Sequence, residues 1–535
     1  MDYLNFTFDE DGINKLSEHS LSKDWPITYM LIKNSDLYVG ETFRATSRFK
    51  THLKEENKKY KGGTLKIITD QDFNVSAALL FENKLVEYLR ADEKFNVTTK
   101  NSTNHNFHNK TNYERKFEFI WEKFLEEGLA NNTLLQLKNL DIFKYSPYKS
   151  LTDEQEFIAN EIVKKIQKSK HNERNIFLIN GGPGTGKSVL ASYLAKELTN
   201  NDIKKVGLVI AMKPLRTTFK KVFRKIKALK SSQVIGPNDV AKDIYDVLIV
   251  DEAHRLKKRF KLSSPGEYVA FDKTNLKLNL GSDATQLDWM SKQTNNLILF
   301  FDEFQSVRPS DISPKSIKII ATDSYELSSQ MRIENSNEYV SFVHDVFFNT
   351  LRDAYSIGDY QLNLYEDFDE FVETHYKNEQ EFGLSRMIAG YSWKWNSKRD
   401  ESNYDILLGS HKLRWNSPSS KNWVYSDNAA NEVGCIHTVQ GYDLNFTNLI
   451  IGNDITYNFS SETVEINKEN YEDPNGKTKD LTELKRYIIN IYKTLMTRGI
   501  KGTNIFIVDD NFRNYFNNSL NLIVSQESIN HIQKR

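Results

Sequence analysis

At 535 residues the chain is too long for one ordinary core, and its length predicts about three to four domains. With 39% hydrophobic and 27% charged residues and a mean hydropathy of -0.59, large-scale disorder is excluded. No apolar run is long enough to cross a bilayer and Met1–Glu10 is acidic and aromatic, so no membrane partner and a cytoplasmic location are expected. Basic and acidic side chains balance at 72 each, so any case for nucleic acid must be local. The single cysteine, Cys435, excludes an intramolecular disulfide and a multi-cysteine zinc cluster.

Residues up to about Asn112 carry two hairpin-forming strands and two helices. The strands hold Ile27-Thr-Tyr29 and Tyr38-Val-Gly40, joined through Asn34-Ser-Asp36, and Thr42, Arg48 and His52 follow. Arg48 and His52 are four apart and share one helix face. In the helix Val75 to Arg90, Glu82 falls with Ala78, Leu85 and Leu89 on the apolar stripe, whereas Glu87 falls with Asn83, Lys84 and Arg90. A carboxylate turned inward costs desolvation and usually has a partner or a metal.

This set resembles the GIY-YIG nuclease family. The resemblance implies a small α+β domain in which Glu82 is the single magnesium ligand and Tyr29 and Tyr38 flank the attacking water. Arg48 then binds the scissile phosphate, and His52 completes the catalytic set. Asn101 matches a further family asparagine, with Asn96 and Asn104 as alternatives. The chain departs from the pattern twice: the first triplet lacks its glycine, and eight residues separate the two tyrosines. The competing reading is a degenerate domain that binds without cutting.

The polar tract Lys100 to Asn112 reads as a loop or domain edge, closing a domain over 1–112. Phe117, Ile120, Trp121 and Phe124 then recur at helical spacing within Tyr113 to Leu129, opening a helical connector over 113–150. Beyond it short apolar strands alternate with helices. Strands are expected at Asn175 to Ile179, Val206 to Ala211, Val247 to Val250, Leu297 to Phe301, Ile317 to Ala321, Ile406 to Leu408, Asn448 to Ile451 and Asn504 to Val508. The fold class is therefore α/β, with two parallel-sheet lobes over 151–325 and 326–535 after the small N-terminal domain. Tyr457 to Asp480 reads as an inserted loop and Gln526 to Arg535 as a frayed tail.

The strongest motif is Gly181-Gly-Pro-Gly184-Thr-Gly186-Lys187-Ser188, set between an apolar strand and a helical stretch. That is the P-loop in its required context. Its glycines let backbone N–H groups turn toward phosphate, Lys187 reaches the β and γ phosphates of ATP, and Ser188 holds magnesium. Val247 to Val250 delivers Asp251, expected on Mg2+, and Glu252, expected to polarise the attacking water. Thr152 and Gln155 are candidates for adenine contact, with a plain helix cap as the equal alternative.

Two basic clusters are candidates for phosphate contact. Lys213 to Lys230 has eight basic residues and no acidic one, and the second cluster is Arg255, Lys257, Lys258, Arg259 and Lys261. A solvated helix face is the alternative for both.

The later motifs resemble superfamily 1 helicases. Asp302-Glu-Phe-Gln305 is similar to the third helicase motif, whose glutamine senses the γ-phosphate. Gln330-Met-Arg332 is similar to the fourth, Gly434 to Gly441 with Gln440 to the fifth, and Tyr492 to Gly499 with Thr497-Arg498 to the sixth. The resemblance implies two RecA-like lobes, with Arg332 and Arg498 as arginine fingers and Gln440 and Gly441 at the nucleotide. Asp251-Glu-Ala-His254 spells the tetrad of a different helicase group, and the sixth motif makes that spelling a coincidence. Over Leu151 to Asp509, including Ser385 to Trp395, the chain resembles the bacterial ATPase family related to Schlafen-type helicase-like proteins. Tyr391, Trp393 and Trp395 are candidates for base stacking or for a packed strand face.

The reading is an ATP-dependent, magnesium-using DNA helicase or translocase fused to an endonuclease, with DNA favoured over RNA and a role in defence against foreign DNA. The alternatives are an ATP-gated nucleic-acid-binding module with a non-cutting tether, and an RNA-directed ATPase.

Overall fold

The computed structural model describes residues 1–20, 24–54, 57–99, 107–170, 173–201, 203–332, 337–418, 420 and 422–524. Asn101, Asn104 and the tail from Gln526 lie outside the described residues. The chain divides into two compact units, Met1–Glu161 and Ile162–Arg535.

The first unit is a five-stranded sheet in the order β1-β4-β2-β3-β5. Its strands are β1 (Asp2–Thr7), β2 (Ile27–Lys33), β3 (Asp36–Thr42), β4 (Thr64–Thr69) and β5 (Asn96–Val97). The hairpin β2–β3 is the one expected. The expectation of two strands misses β1, whose Asp2 and Asn5 weaken the strand signal, and β4, which pairs antiparallel with both β1 and β2. The helix Val75–Asp92 opens on Asn74, whose side chain accepts from Ala77 N at 2.8 Å. It lies on the sheet where Thr28 Oγ1 donates to Ala78 O at 2.8 Å.

Its other side meets the helix Lys110–Glu126. Phe81 and Tyr88 pack on Phe117 with ring centroids 5.4 and 5.7 Å apart, and Tyr88 lies 5.5 Å from Trp121. The apolar stripe read from Phe117, Ile120, Trp121 and Phe124 is thus buried in this unit's own core. The expected connector packs as part of the N-terminal body rather than running free of it.

The second unit contains two sheets. One has the order β11-β6-β10-β9-β7-β8. It is built from β6 (Asn175–Gly181), β7 (Val206–Ile210), β8 (Val234–Ile235), β9 (Tyr245–Asp251), β10 (Thr294–Phe301) and β11 (Asp323–Leu327). Every pairing in it is parallel. The expected strand Ile317 to Ala321 is a correction: Pro314–Ile320 is a helix. Ser313 caps it by accepting from Ser316 N at 3.2 Å and Pro314 occupies its first turn, whereas a short apolar run alone does not separate helix from strand. The edge strand is β11, three residues later in register with β6.

The other sheet has the order β12-β20-β17-β13-β16-β15-β14. Its strands are β12 (Gln361–Tyr365), β13 (Ser385–Ala389), β14 (Ile406–Leu408), β15 (His411–Trp415), β16 (Glu432–Cys435), β17 (Leu444–Ile451) and β20 (Gly499–Ile507). It is parallel except at its edge, where β14 returns antiparallel to β15. The stretch expected as an inserted loop instead contains the hairpin β18 (Ile455–Asn458) and β19 (Thr463–Ile466) and buries Tyr471 and Asp473. The Asp473 carboxylate accepts from Arg308 Nη2 at 3.2 Å and lies 3.1 Å from His437 Nε2, so the insertion ties the two lobes together. Two parallel sheets with helices on their faces are the RecA-like architecture expected.

His375 lies fully buried beneath the second sheet, with Nε2 donating to Ala430 O at 2.8 Å and Nδ1 accepting from Asn448 Nδ2 at 3.0 Å. Burial lowers its pKa from 6.5 to about 4. Between those values the unfolded chain binds the extra proton and the folded chain does not, so stability falls as the pH drops through this window. Urea midpoints of this unit are expected to decline as the pH falls from about 6.5 to about 4, with up to about 3 kcal/mol from this group. A His375→Gln variant should show a shallower slope.

Candidate functional site

The parallel register aligns Leu178, Leu299 and Val250 across β6, β10 and β9. Their carboxyl ends therefore deliver Gly181, Asp302 and Asp251 to one edge of the sheet. The chain turns there from β6 into the helix Lys187–Asn200 through Gly184 and Gly186, at φ +81° and +79°, a region side chains other than glycine rarely adopt. Lys187 Nζ donates to the carbonyls of Gly181 and Gly182 at 2.5 and 2.8 Å and lies 3.7 Å from Asp302 Oδ2. The ammonium thus rests inside the loop that would surround a phosphate. Ser188 Oγ donates to Asp251 Oδ2 at 2.8 Å. Asp251 Oδ1 is buried with no hydrogen-bond partner among the described residues. A serine hydroxyl beside a carboxylate with a free oxygen suits a hard divalent cation.

Burial and the neighbouring Glu252 push the Asp251 carboxyl up. Glu252 is buried too, which alone would raise it, but His254 and then Lys187 bring it below the ordinary range. The pair is thereby split into an ionised Glu252 and a more basic Asp251.

Gln305 sits behind Lys187. Its Nε2 donates to Asp302 Oδ2 at 2.7 Å and its Oε1 accepts from Arg498 Nη2 at 3.1 Å. Arg498 is 1% exposed, and burial lowers its guanidinium from 12.5 to about 10. Arg332 donates from Nη1 to Thr497 O at 2.9 Å, and its Nη2 is 2.7 Å from Asp443 Oδ1. The preceding residues grip the P-loop: Met331 N donates to Gly184 O at 2.8 Å and Gln330 Nε2 to Pro183 O at 2.7 Å. The structure therefore brings Lys187, Ser188, Asp251, Glu252, Gln305, Arg332 and Arg498 together. A cavity of about 220 Å³ adjoins them, lined by Gly182, Pro183, Phe304, Gln305, His344 and Lys493 among others.

Three expectations fall differently. Gln440 Nε2 donates to Gln305 O at 3.2 Å and its Oε1 accepts from Arg255, so its direct neighbours are protein groups joining the lobes. Gly441, at φ +87°, is pressed against Leu215, where a Cβ would come within 3.0 Å. Gln155 belongs to the first unit and forms a reciprocal cap with Thr152, both contacts at 3.2 Å, which is the helix-cap alternative.

The two basic clusters separate. On the helix Lys213–Arg224 the residues Leu215, Phe219, Val222 and Phe223 are buried, while Lys213, Lys221 and Arg224, and beyond the helix Lys227 and Lys230, are exposed without an ion pair among the described residues. The second cluster is largely spent on protein partners. Arg255 turns to Gln440, Lys257 pairs with Glu267 at 3.1 Å, Arg259 pairs with Asp272, and Lys261 donates to Lys477 O. Tyr391, Trp393 and Trp395 gather around buried Trp415, with Tyr391 stacked on it at 5.4 Å. That is the packed alternative to base stacking.

In the first unit, Tyr29 and Tyr38 come from paired strands, with rings 6.1 Å apart. Arg48 and His52 reach them from the helix Ala45–Lys54. Tyr29 Oη lies 2.7 Å from His52 Nε2, and Asn57 Nδ2 lies 2.9 Å from His52 Nδ1. With the Asn57 amide donating to Nδ1, the ring proton sits on Nε2 and the Tyr29 oxygen accepts it, while Tyr29 also hydrogen-bonds Tyr38. Arg48 hydrogen-bonds Tyr29, opposing the burial that raises this phenol. Burial, then the Glu41 charge, raise Glu82 to about 7, and Arg48 opposes them. The five expected residues are thus assembled, and sequence reasoning missed Glu41 and Asn57. The glycine of the second triplet has a steric cause: Gly40 faces Tyr29 across the hairpin, and a Cβ there would lie 2.5 Å from its hydroxyl. Gly40→Ala is expected to destabilise this unit by about 1–3 kcal/mol in denaturant unfolding, because Tyr29 is fully buried and held by His52.

A P-loop lobe joined to a second parallel-sheet lobe that sends arginines back to it defines a helicase-like ATPase. Residues 174–509 match the family model described as Schlafen group 3, DNA/RNA helicase domain, and the chain belongs to that family. It is 23% identical over 419 residues to the uncharacterized protein YPL245W of Saccharomyces cerevisiae, covering 68% of this chain and 90% of that protein. Among solved structures it is similar to the Pif1 helicase from Candida albicans, at 11% identity and a TM-score of 0.31 over 72% of this chain and 98% of that one. It is similar also to the Pif1 helicase from Bacteroides in complex with ADP-AlF3 and ssDNA, at 13% identity and a TM-score of 0.26 over 72% and 96%. No helix among the described residues is long and apolar enough to cross a membrane.

Proposed function

We propose that this protein is an ATP- and magnesium-dependent nucleic-acid translocase or helicase whose first unit is a GIY-YIG-type endonuclease acting on DNA. The observation that carries the motor is the buried contact of Arg498 from the second lobe with Gln305 of the first, next to Lys187 and Asp302. Nucleotide entry would draw Lys187 off the Gly181 and Gly182 carbonyls onto the β and γ phosphates. Ser188 and Asp251 would hold Mg2+, which supplies charge neutralisation on the phosphates. Glu252 accepts the proton of the attacking water as the new P–O bond forms. Arg332, released from Asp443, and Arg498 stabilise the charge that develops as the bond to ADP breaks. The exposed cations of Lys213 to Lys230 are the candidate track for the nucleic-acid backbone.

The nuclease reading rests on Tyr29, Tyr38, Arg48, His52 and Glu82 converging. Glu82 is the metal ligand, Arg48 takes the scissile phosphate, and Tyr29 with Tyr38 positions the water. The fusion of a cutting unit with a motor supports a role in defence against foreign DNA, and unchanged phage plating in the presence of the gene would contradict that role.

Plasmid DNA incubated with the wild type, Mg2+ and ATP is expected to be nicked, and both Glu82→Ala and Lys187→Ala should abolish nicking. Only Lys187→Ala should abolish ATP hydrolysis. A wild type that hydrolyses ATP yet cuts no DNA substrate would make the first unit a tether. Stronger stimulation of hydrolysis by single-stranded RNA than by DNA would make the motor RNA-directed.

A further inference from the structure

His254 spells part of a tetrad that belongs to another helicase group, yet it is far from idle. It is fully buried in the short turn Ala253–Arg255 that follows β9, with Nε2 2.7 Å from Glu252 Oε2. Its ring packs edge-on against Phe301, 6.2 Å between centroids; the approach to Glu252 is a close ion-pair contact, and neither ring nitrogen has an aligned hydrogen bond among the described residues. Glu252 has φ +57° and ψ +50°, left-handed backbone that costs a residue other than glycine about 1–3 kcal/mol and persists only where the surroundings over-determine it. Arg255 N donates to Glu252 O at 2.9 Å and closes the turn. A buried imidazole serving only as filler would need no carboxylate 2.7 Å from its ring nitrogen, and that contact offsets part of the cost of burying the ring.

We infer that His254 is a positioning residue for ATP hydrolysis, fixing the Glu252 carboxylate in its left-handed turn so that it meets the attacking water. The inference rests on the ATPase reading of this site. The carboxylate it contacts is that of Glu252, and its charge bears also on Asp251 and Asp311. Its loss should leave nucleotide affinity intact and slow only the chemical step.

The test is a double-mutant cycle on the full-length protein, with steady-state ATP hydrolysis and binding of a fluorescent ATP analogue both measured. His254→Ala is expected to lower kcat about 10- to 100-fold with KM and analogue binding within about twofold of the wild type. His254→Gln, which restores a side-chain N–H donor, should recover most of the rate and covers the case in which the alanine variant fails to fold. In a Glu252→Gln background, His254→Ala should cause no further loss. An equal loss in both backgrounds, or a raised KM with unchanged kcat, overturns the inference while leaving the ATPase reading in place. A wild type that binds the analogue but hydrolyses no ATP, with or without single-stranded nucleic acid, overturns that reading and the inference with it.

Discussion

The second unit is organised around one buried cation. The Arg498 guanidinium gives up water to lie between the lobes, where it donates to Gln305 Oε1, Thr494 O and Tyr442 O. Such burial is expensive for a group that stays charged, and it is offset here by those acceptors together with the nearby carboxylates of Glu252, Asp443 and Asp302. Gln305 is in turn fixed by Asp302, and its backbone oxygen accepts from Gln440. One side chain from the turn that leads into β20 therefore sets the place of the residue that faces the P-loop. On the proposed reading, a nucleotide entering the cleft would meet groups from both lobes at once, and hydrolysis would be coupled to the distance between them.

The insertion between β17 and the helix Leu481–Met496 has a place in the same scheme. Asp473 accepts from Arg308 of the first lobe and lies against His437 of the second, held well below the ordinary carboxylate range by these two partners against the effect of burial. Arg255 joins the same border through Gln440. The lobes thus meet through a set of charge-assisted hydrogen bonds. The first unit uses similar physics at smaller scale: a phenol, an imidazole and an amide are ordered in a line by Asn57, and a glycine makes room for them.

Much of this was legible in the residues. The P-loop announces itself because only glycine accepts the backbone at 184 and 186, and the strand before it and helix after it are strongly patterned. The pairing of Arg48 with His52 and the inward turn of Glu82 followed from helical spacing. What was not legible depends on tertiary partners. Nothing in the run Arg255 to Lys261 says that its cations will meet Glu267, Asp272 and Gln440 rather than solvent. The run Ile317 to Ile320 is apolar enough for a strand, and only Ser313 and Pro314 betray the helix. The polar composition of the 457–480 stretch hides a local hairpin, and it hides a buried aspartate because one of its partners, Arg308, lies more than a hundred residues upstream. His254 was visible as a letter in a motif and became interpretable only with the left-handed turn at Glu252.

The most direct test of the composite site is the rate of ATP hydrolysis by Arg498→Lys compared with its affinity for a fluorescent ATP analogue. Lysine keeps the charge but lacks the planar fork that reaches Gln305 and two carbonyls together. The account predicts that analogue binding survives while kcat falls by about 10³-fold or more. Hydrolysis at the wild-type rate in that variant would contradict the claim that the second lobe completes the site.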